Sequence, residues 1–137
     1  MNKEMKQYIG TKIVKAMPMT MTKAQKMLGR EIKPATVEED GYLVEYKDGY
    51  RSWSPKSVFE EAYKPSETFL ERLYIERDEL NERFTALDSF LDKGYSYVID
   101  KVGALQASLL ISQHMCMSGY LNILNSRILD IESTKLK

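Results

Sequence analysis

The second half of the chain carries a regular pattern of apolar positions. Between residues 70 and 91, and again between residues 107 and 131, these positions recur at alternating steps of three and four residues. That spacing is typical of a heptad seam along a helix. Because the connection around Lys93-Gly94 is short, we predict two antiparallel helices, a helical hairpin. The seam members are Leu70, Leu73, Arg77, Leu80, Phe84, Leu87 and Leu91, then Ala107, Leu110, His114, Met117, Leu121, Leu124, Ile128 and Ile131.

Each seam contains one polar member, Arg77 in the first and His114 in the second. If Leu91 lies opposite residues 97–100, Arg77 falls opposite Gln113 or His114, so the two exceptions are expected to meet. One interpretation is structural, since a single polar layer fixes the register of a helical pair. The other is functional, because a guanidinium is planar, always charged and able to bind phosphate bidentately. Both interpretations stay open at this point.

The second predicted helix has more apolar surface than a hairpin needs. A further row recurs every seven residues beside its seam, and a row containing small residues runs next to it. The first predicted helix, in contrast, is strongly charged outside its seam. We therefore expect the hairpin to self-associate as a dimer or a higher symmetric oligomer. The two rows are Val102, Leu109, Cys116 and Ile123, and Leu105, Ser112, Gly119 and Ser126.

The sequence of the first 64 residues predicts short secondary-structure elements, in contrast to the long helices of the second half. The clearest is a β-hairpin over Gly41–Trp53 that turns at Asp48-Gly49. The predicted fold class is α+β: residues 1–64 form a small domain with an antiparallel sheet, and residues 65–137 form the hairpin that oligomerises and binds ligand. The other predictions are a strand over Tyr8–Met17, a helix from Thr22 to Gly29 with Gln25 in a capping box, a loop over Glu31–Asp40, a short helix capped by Ser54 before Pro55, and Ser66 as the cap of the first long helix.

Charge is unevenly distributed although the net formal charge is zero. Residues 1–33 hold eight basic and two acidic side chains, and the remaining 104 residues hold twelve basic and eighteen acidic ones. A basic first segment can attract the phosphates of nucleic acid or of a small nucleotide, but a solvated surface explains the same charges and is favoured. Residues 102–126 contain no charged side chain but nine polar ones, which favours a helix buried between helices over a membrane span.

The sequence offers little for catalysis. Cys116 is the only cysteine and His114 the only histidine, and side chains two apart on a helix point to different faces. One cysteine excludes an intramolecular disulfide and favours a reducing cytoplasm. We expect no enzymatic activity, no cofactor and no metal. Arg51 and Trp53 combine a cation and a stacking surface suited to a nucleotide, although Trp53 also suits the core of the small domain.

Two sets of residues resemble known phage proteins. The runs K-Q-Y-I-G-T-K-I-V-K-A-M-P-M-T, D-G-Y-L-V-E-Y and S-W-S-P-K-S-V-F-E-E-A-Y resemble a small N-terminal module of bacteriophage proteins. The runs E-R-D-E-L-N-E-R-F-T-A-L-D-S-F-L and Q-H-M-C-M-S-G-Y-L-N-I-L-N-S-R-I resemble the helical hairpin of phage anti-Thoeris and anti-CBASS nucleotide sponges. The combination is similar to the anti-Thoeris sponge family, Tad of the first type. Met21–Lys33 departs from the sequence of the N-terminal module.

The resemblance implies a non-catalytic binding protein in the cytoplasm of an infected bacterial host. Such sponges sequester the cyclic ADP-ribose isomers of Thoeris defence (gcADPR), and some hold the cyclic oligonucleotides of CBASS. They assemble as dimers or hexamers with ligand pockets where protomers meet. A phage accessory protein that binds nucleic acid, or a purely structural oligomer, is the alternative, with nucleic acid disfavoured. The residues to which we assign ligand contacts are Arg51, Trp53, Phe69, Arg77, Asn81 and Arg127.

Overall fold

The structure is a computed structural model that describes residues 4–32 and 38–135. Contacts divide the chain into two units, Met1–Lys64 and Pro65–Lys137. A small antiparallel sheet precedes a long helical region, which confirms the predicted α+β class. The elements are β1 (Lys15–Pro18), α1 (Met21–Leu28), β2 (Gly41–Glu45), β3 (Arg51–Pro55), α2 (Lys56–Ala62), α3 (Phe69–Leu91), α4 (Tyr95–Val102) and α5 (Ala104–Lys135).

The sheet of the first unit has the order β1-β2-β3, with both pairs antiparallel. The predicted β-hairpin is confirmed: β2 and β3 pair with Leu43 opposite Trp53, and Gly49 takes the positive φ of 91° that the turn requires. Leu43 and Trp53 face α1 and bury a small apolar core with it. The other buried members of that core are Met19, Met21 and Ala24.

The strand predicted over Tyr8–Met17 was wrong in its extent. β1 begins at Lys15, whose cross-strand partner Glu45 is the last residue of β2. Residues 5–14 precede this point and have no strand partner in the described part of the chain. A strand needs a neighbour for its backbone N–H and C=O groups, so β-branched sequence alone does not extend β1.

Three helix starts also differ from prediction. Thr20, not Thr22, caps α1, while the Gln25 side chain accepts a hydrogen bond from the Ile32 N–H instead of capping. Ser54 lies in β3, and α2 has no side-chain cap. α3 is capped by Thr68 rather than Ser66, in a full capping box with Glu71. The stop of α1 at Gly29 is confirmed, and residues 33–37 of the predicted loop lie outside the described residues.

In the second unit α3 and α5 pack along the two predicted seams. Their buried core is formed by Leu73, Leu80, Met117, Leu121, Leu124 and Ile128, with Leu70, Phe84, Leu87 and Ile131 packed against it. These are seam positions, so the antiparallel hairpin is confirmed. None of the helices among residues 4–32 and 38–135 is both long enough and apolar enough to cross a membrane.

The two polar seam residues do not meet, contrary to the prediction. His114 lies beside Phe84 and Asp88, whereas the Tyr120 hydroxyl bonds Glu76 and so places Tyr120 near the level of Arg77. The offset is about two helical turns, on the order of 10 Å. Its cause is the separate helix α4, which lies between Gly94 and Gly103 and takes up residues that the prediction had placed opposite the end of α3.

Candidate ligand site on the helical hairpin

Two sets of side chains lie on either side of the buried seam. Phe69 and Glu76 are seven residues apart on α3, and Tyr120 and Arg127 are seven apart on α5, so each pair shares a face. We call these four residues the first flank. The second flank consists of Tyr74, Arg77, Asn81, Asp88, His114 and Glu132, of which Tyr74, Asn81 and Asp88 again recur at seven-residue steps. Contacts between α3 and α5 join residues within a flank.

On the first flank, Arg127 and Phe69 come together. The guanidinium carbon of Arg127 lies 5.7 Å from the centroid of the Phe69 ring, a cation–π distance. Phe69 is 54% exposed, so its ring is open to a ligand. Within the part of the chain that the structure describes, Arg127 forms no ion pair with a carboxylate. Its donors are therefore available for an anion.

Beside Arg127, α5 carries an open depression of about 400 Å³. It offers an amide, a hydroxyl, a guanidinium, a carboxylate and one apolar side chain. This set can bind a phosphate at the cation, hydroxyl groups at the polar side chains and a ring at the apolar one. All of the lining residues belong to α5, so the depression has a wall on one side. They are Asn122, Ile123, Ser126, Arg127 and Asp130.

Sequence reasoning assigned none of the other four lining residues to a site: Asn122, Ile123, Ser126 and Asp130. Ile123 precedes Arg127 by four residues and Asp130 follows it by three, which are the spacings of side chains that share a helix face. The signal was therefore present in the sequence once α5 was recognised as a helix. Tyr120 and Glu76 were also not assigned to a site, although each lies seven residues from a member of the Phe69–Arg127 pair.

On the second flank, Arg77 is engaged within its own helix. Its Nε donates to Oδ1 of Asp78 at 2.8 Å, and its guanidinium carbon lies 5.2 Å from the Tyr74 ring centroid. The Tyr74 hydroxyl donates to Oε2 of Glu132 at 2.5 Å. That hydrogen bond is the main reason why the pKa of Tyr74 is raised above 10.0, with burial and the Glu132 charge adding to it. Asn81 is exposed one turn beyond Arg77.

His114, the other polar member of the seams, also bonds across the hairpin. Its Nε2 lies 2.8 Å from Oδ1 of Asp88, and its ring stacks on Phe84 with the centroids 4.7 Å apart. His114 therefore joins α5 to α3 at a level different from that of Arg77. No group of three His, Cys, Asp or Glu side chains suited to a metal occurs within residues 4–32 and 38–135.

Arg51 and Trp53 lie in the first unit. Nε of Arg51 donates to Oε1 of Glu45 at 2.8 Å, and half of the Arg51 side chain is exposed. Trp53 is 8% exposed, and its Nε1 donates to the carbonyl oxygen of Met19 at 2.7 Å. The indole thus anchors the core of this unit. The ligand contacts assigned to these two residues stay predictions, as do those assigned to Phe69, Arg77, Asn81 and Arg127.

One comparison with known proteins gave a match, and it lies in the helical hairpin. Residues 67–130 match the Sequestin family model. The Sequestin match begins just before α3, includes α4 and ends five residues before the end of α5. It contains both flanks except Glu132, and therefore Phe69, Arg77, Asn81 and Arg127. The predicted resemblance to a family of sequestering proteins is confirmed at this level. Comparisons with curated proteins and with solved structures gave no significant match.

Proposed function

We propose that this protein is a phage-encoded sponge that binds cyclic nucleotide immune signals and withholds them without degrading them. The proposed ligands are the cyclic ADP-ribose isomers of Thoeris and, as a second class, the cyclic oligonucleotides of CBASS. The observation that carries the proposal is the Arg127–Phe69 pair within the Sequestin match: a cation that has no carboxylate partner among the described residues lies over an exposed ring. In this proposal the protein has no catalytic step.

The side chains of the first flank and of the depression beside Arg127 together suit such a ligand. Cyclic ADP-ribose isomers carry a pyrophosphate, ribose hydroxyls and an adenine ring. The Arg127 guanidinium can bind phosphate oxygens bidentately, and the Phe69 ring and Ile123 provide apolar surface for a base. Asn122, Ser126 and Asp130 can exchange hydrogen bonds with the hydroxyls. A sequestering protein needs affinity and abundance, and this set supplies polar and apolar contacts that can give affinity.

We also propose that a second copy completes the site. The depression beside Arg127 has a wall of α5 residues alone, and the outer side of α5 exposes large apolar side chains. Leu105 is 72% exposed and Ile123 61%. Exposed apolar surface is typical of an interface. Packing another α5 there would add the missing wall and produce the dimer or hexamer that the resemblance implies.

Titration calorimetry tests the proposal directly. The ligands are the 1″–2′ and 1″–3′ cyclic ADP-ribose isomers and cyclic di- and trinucleotides. We expect at least one of them to bind, and to be recovered unchanged by chromatography after the protein is denatured. A chain that binds no member of this panel contradicts the proposal, and a ligand recovered as a cleaved product contradicts the absence of catalysis.

Arginine variants identify the flank that binds. We expect Arg127→Ala to weaken binding roughly ten- to a hundredfold, because a hydrogen bond to a charged group contributes about 1.5–3 kcal/mol. Arg77→Ala should have a smaller effect, since Arg77 already has Asp78 and Tyr74 as partners. Lys101→Ala, which removes a cation of α4, is the matched control. If Arg77→Ala abolishes binding and Arg127→Ala does not, the site lies on the second flank.

A further inference from the structure

The segment that leads into β1 has a sequence typical of a strand, but among the described residues it pairs with no other strand. Residues 5–14, which we call the N-terminal arm, precede β1 and have no strand partner in the described part of the chain. Four large apolar side chains of the arm are almost fully exposed: Met5 at 99%, Tyr8 at 87%, Ile9 at 86% and Ile13 at 82%. Surface of this kind on a strand-forming segment is a template for pairing with another chain.

The arm stays beside the end of β2 where it joins β1. Lys15 pairs with Glu45, the last residue of β2, and the Nζ of Lys12 then lies 4.5 Å from the ring centroid of Tyr46, the next residue along. β1 is also an edge strand, since the order is β1-β2-β3. Among the described residues, no strand lies on the outer side of β1. The arm and this outer side therefore form one continuous unpaired edge.

We propose that the arms of two copies of this chain pair antiparallel about a twofold axis through Thr11. In this register Ile9 lies opposite Ile13 of the second copy, and Tyr8 lies opposite Val14. At the start of the arm, Met5 lies opposite Met17 of β1, and Met17 is half exposed. Apolar side chains thus meet apolar side chains on both faces of the new ladder, which is the source of stability in paired strands.

Charge and apolar pairing together select this register over its neighbours. With Thr11 on the axis, Lys12 faces Gly10, Lys6 faces Ala16 and Lys15 faces Gln7, so no lysine opposes another lysine. An axis through Lys12 would place that residue opposite itself, and an axis through Ile9 would oppose Lys6 and Lys12. Like charges directly opposite each other destabilise a strand pair. An axis through Gly10 avoids this repulsion but sets Ile13 against Gln7.

The pairing would join two three-stranded sheets into one. Residues of each arm would lie along the outer side of β1 in the other copy, giving a six-stranded antiparallel sheet. Because the contact is isologous, it uses the same surface on both copies and closes on itself. It would cover the edge that each copy otherwise leaves open. This interface belongs to the first unit and does not depend on the ligand proposal.

Engineered cysteines in the full chain test the axis, with Cys116→Ser as the background. We expect Thr11→Cys, which faces itself across the axis, to form a disulfide-linked dimer under mild oxidation, doubling the 15.9 kDa mass on a non-reducing gel. Lys23→Cys, exposed on α1, is the control and should stay a single chain. Failure of Thr11→Cys to cross-link, or equal cross-linking of the control, overturns the proposal.

A mixing experiment tests the register independently of any assembly through the helices. Ile9→Cys and Ile13→Cys lie opposite each other only between copies. We expect a mixture of the two variants to give much more covalent dimer than either variant alone. If each variant alone cross-links as strongly as the mixture, the arms meet in another register and the twofold axis through Thr11 is wrong.

Discussion

At the scale of single residues, α3 and α5 each have a tyrosine whose hydroxyl donates a hydrogen bond to a glutamate of the other helix. Tyr74 of α3 donates to Glu132 of α5, and Tyr120 of α5 donates to Glu76 of α3. Each bond joins a phenol to a negative charge, and charge-assisted hydrogen bonds are stronger than neutral ones. The two bonds lie on opposite flanks, so together they resist rotation of either helix about its axis.

The Tyr74 bond predicts a pH dependence at the alkaline end. Because the folded-state pKa of Tyr74 is raised above 10.0, its contribution to stability is present below about pH 10 and is lost as the pH rises through the folded value. Tyr74→Phe removes that contribution. We expect the wild-type chain to have the higher Tm at about pH 8, and the difference to shrink as the pH rises above about 10. Thermal unfolding followed by circular dichroism measures it.

Tyr95→Phe is the matched control for this titration, since Tyr95 is 57% exposed on α4. Its Tm should follow that of the wild-type chain across the same pH range. A difference between wild type and Tyr74→Phe that stays constant with pH would show that the Tyr74 hydroxyl stabilises the hairpin without coupling to its ionisation.

The arginines of the candidate site show which of its features the sequence predicts at the scale of residues. The residue types of the candidate site were predictable, because guanidinium and aromatic side chains have specific chemistry. Their grouping was not: Phe69 and Arg127 meet on one flank, while Arg77 and Asn81 lie on the other. A heptad seam shows which positions face the other helix, but pairing across it depends on the axial register. That register was set by α4, whose length no periodicity revealed.

At the scale of elements, the start of α3 rests on Thr68. Its side chain accepts from the Glu71 N–H at 3.0 Å, and the Glu71 carboxylate accepts from the Thr68 N–H at 3.0 Å. We expect Thr68→Ala to lower the free energy of unfolding of the hairpin by about 1 kcal/mol. Ser66→Ala, two residues earlier, should change it little. Urea unfolding of both variants measures the difference, and an equal loss would contradict the observed cap.

Several elements could be predicted and others could not, for physical reasons. The seams of α3 and α5 followed from apolar periodicity, since burial is what selects those residues. The β2–β3 hairpin followed from Asp48-Gly49, because that turn restricts the backbone. The caps of α1 and α3 lie two residues from the predicted ones because neighbouring Ser and Thr residues compete for the same role. The length of β1 depended on where β2 ends, which local sequence does not encode.

At the scale of the whole molecule, the exposed face of α5 predicts assembly. Ile123 lies beside Arg127 and is 61% exposed in a single chain. Ile123→Lys should therefore lower the molar mass measured by light scattering, because a charge buried in an interface is costly. The unfolding of the hairpin itself should change little. Glu79→Lys, on the exposed charged side of α3, is the control and should leave the mass unchanged.

Two outcomes would contradict assembly through this face. One is a wild-type mass equal to that of a single chain at every concentration. The other is an equal loss of mass in the Ile123 and Glu79 variants, which would indicate a general effect of charge on the protein rather than an interface at α5.

The hairpin has two unlike outer sides, and this contrast limits how copies can add to one another. The outer side of α3 carries Glu and Arg side chains that stay hydrated, while that of α5 carries leucine, isoleucine and methionine. A hairpin that associates through α5 alone has no second apolar side from which a stack of helices could grow. Copies that meet through α5 turn their hydrated helices outward and end the addition there. As far as the helices are concerned, the asymmetry thus favours a closed assembly over an open-ended stack.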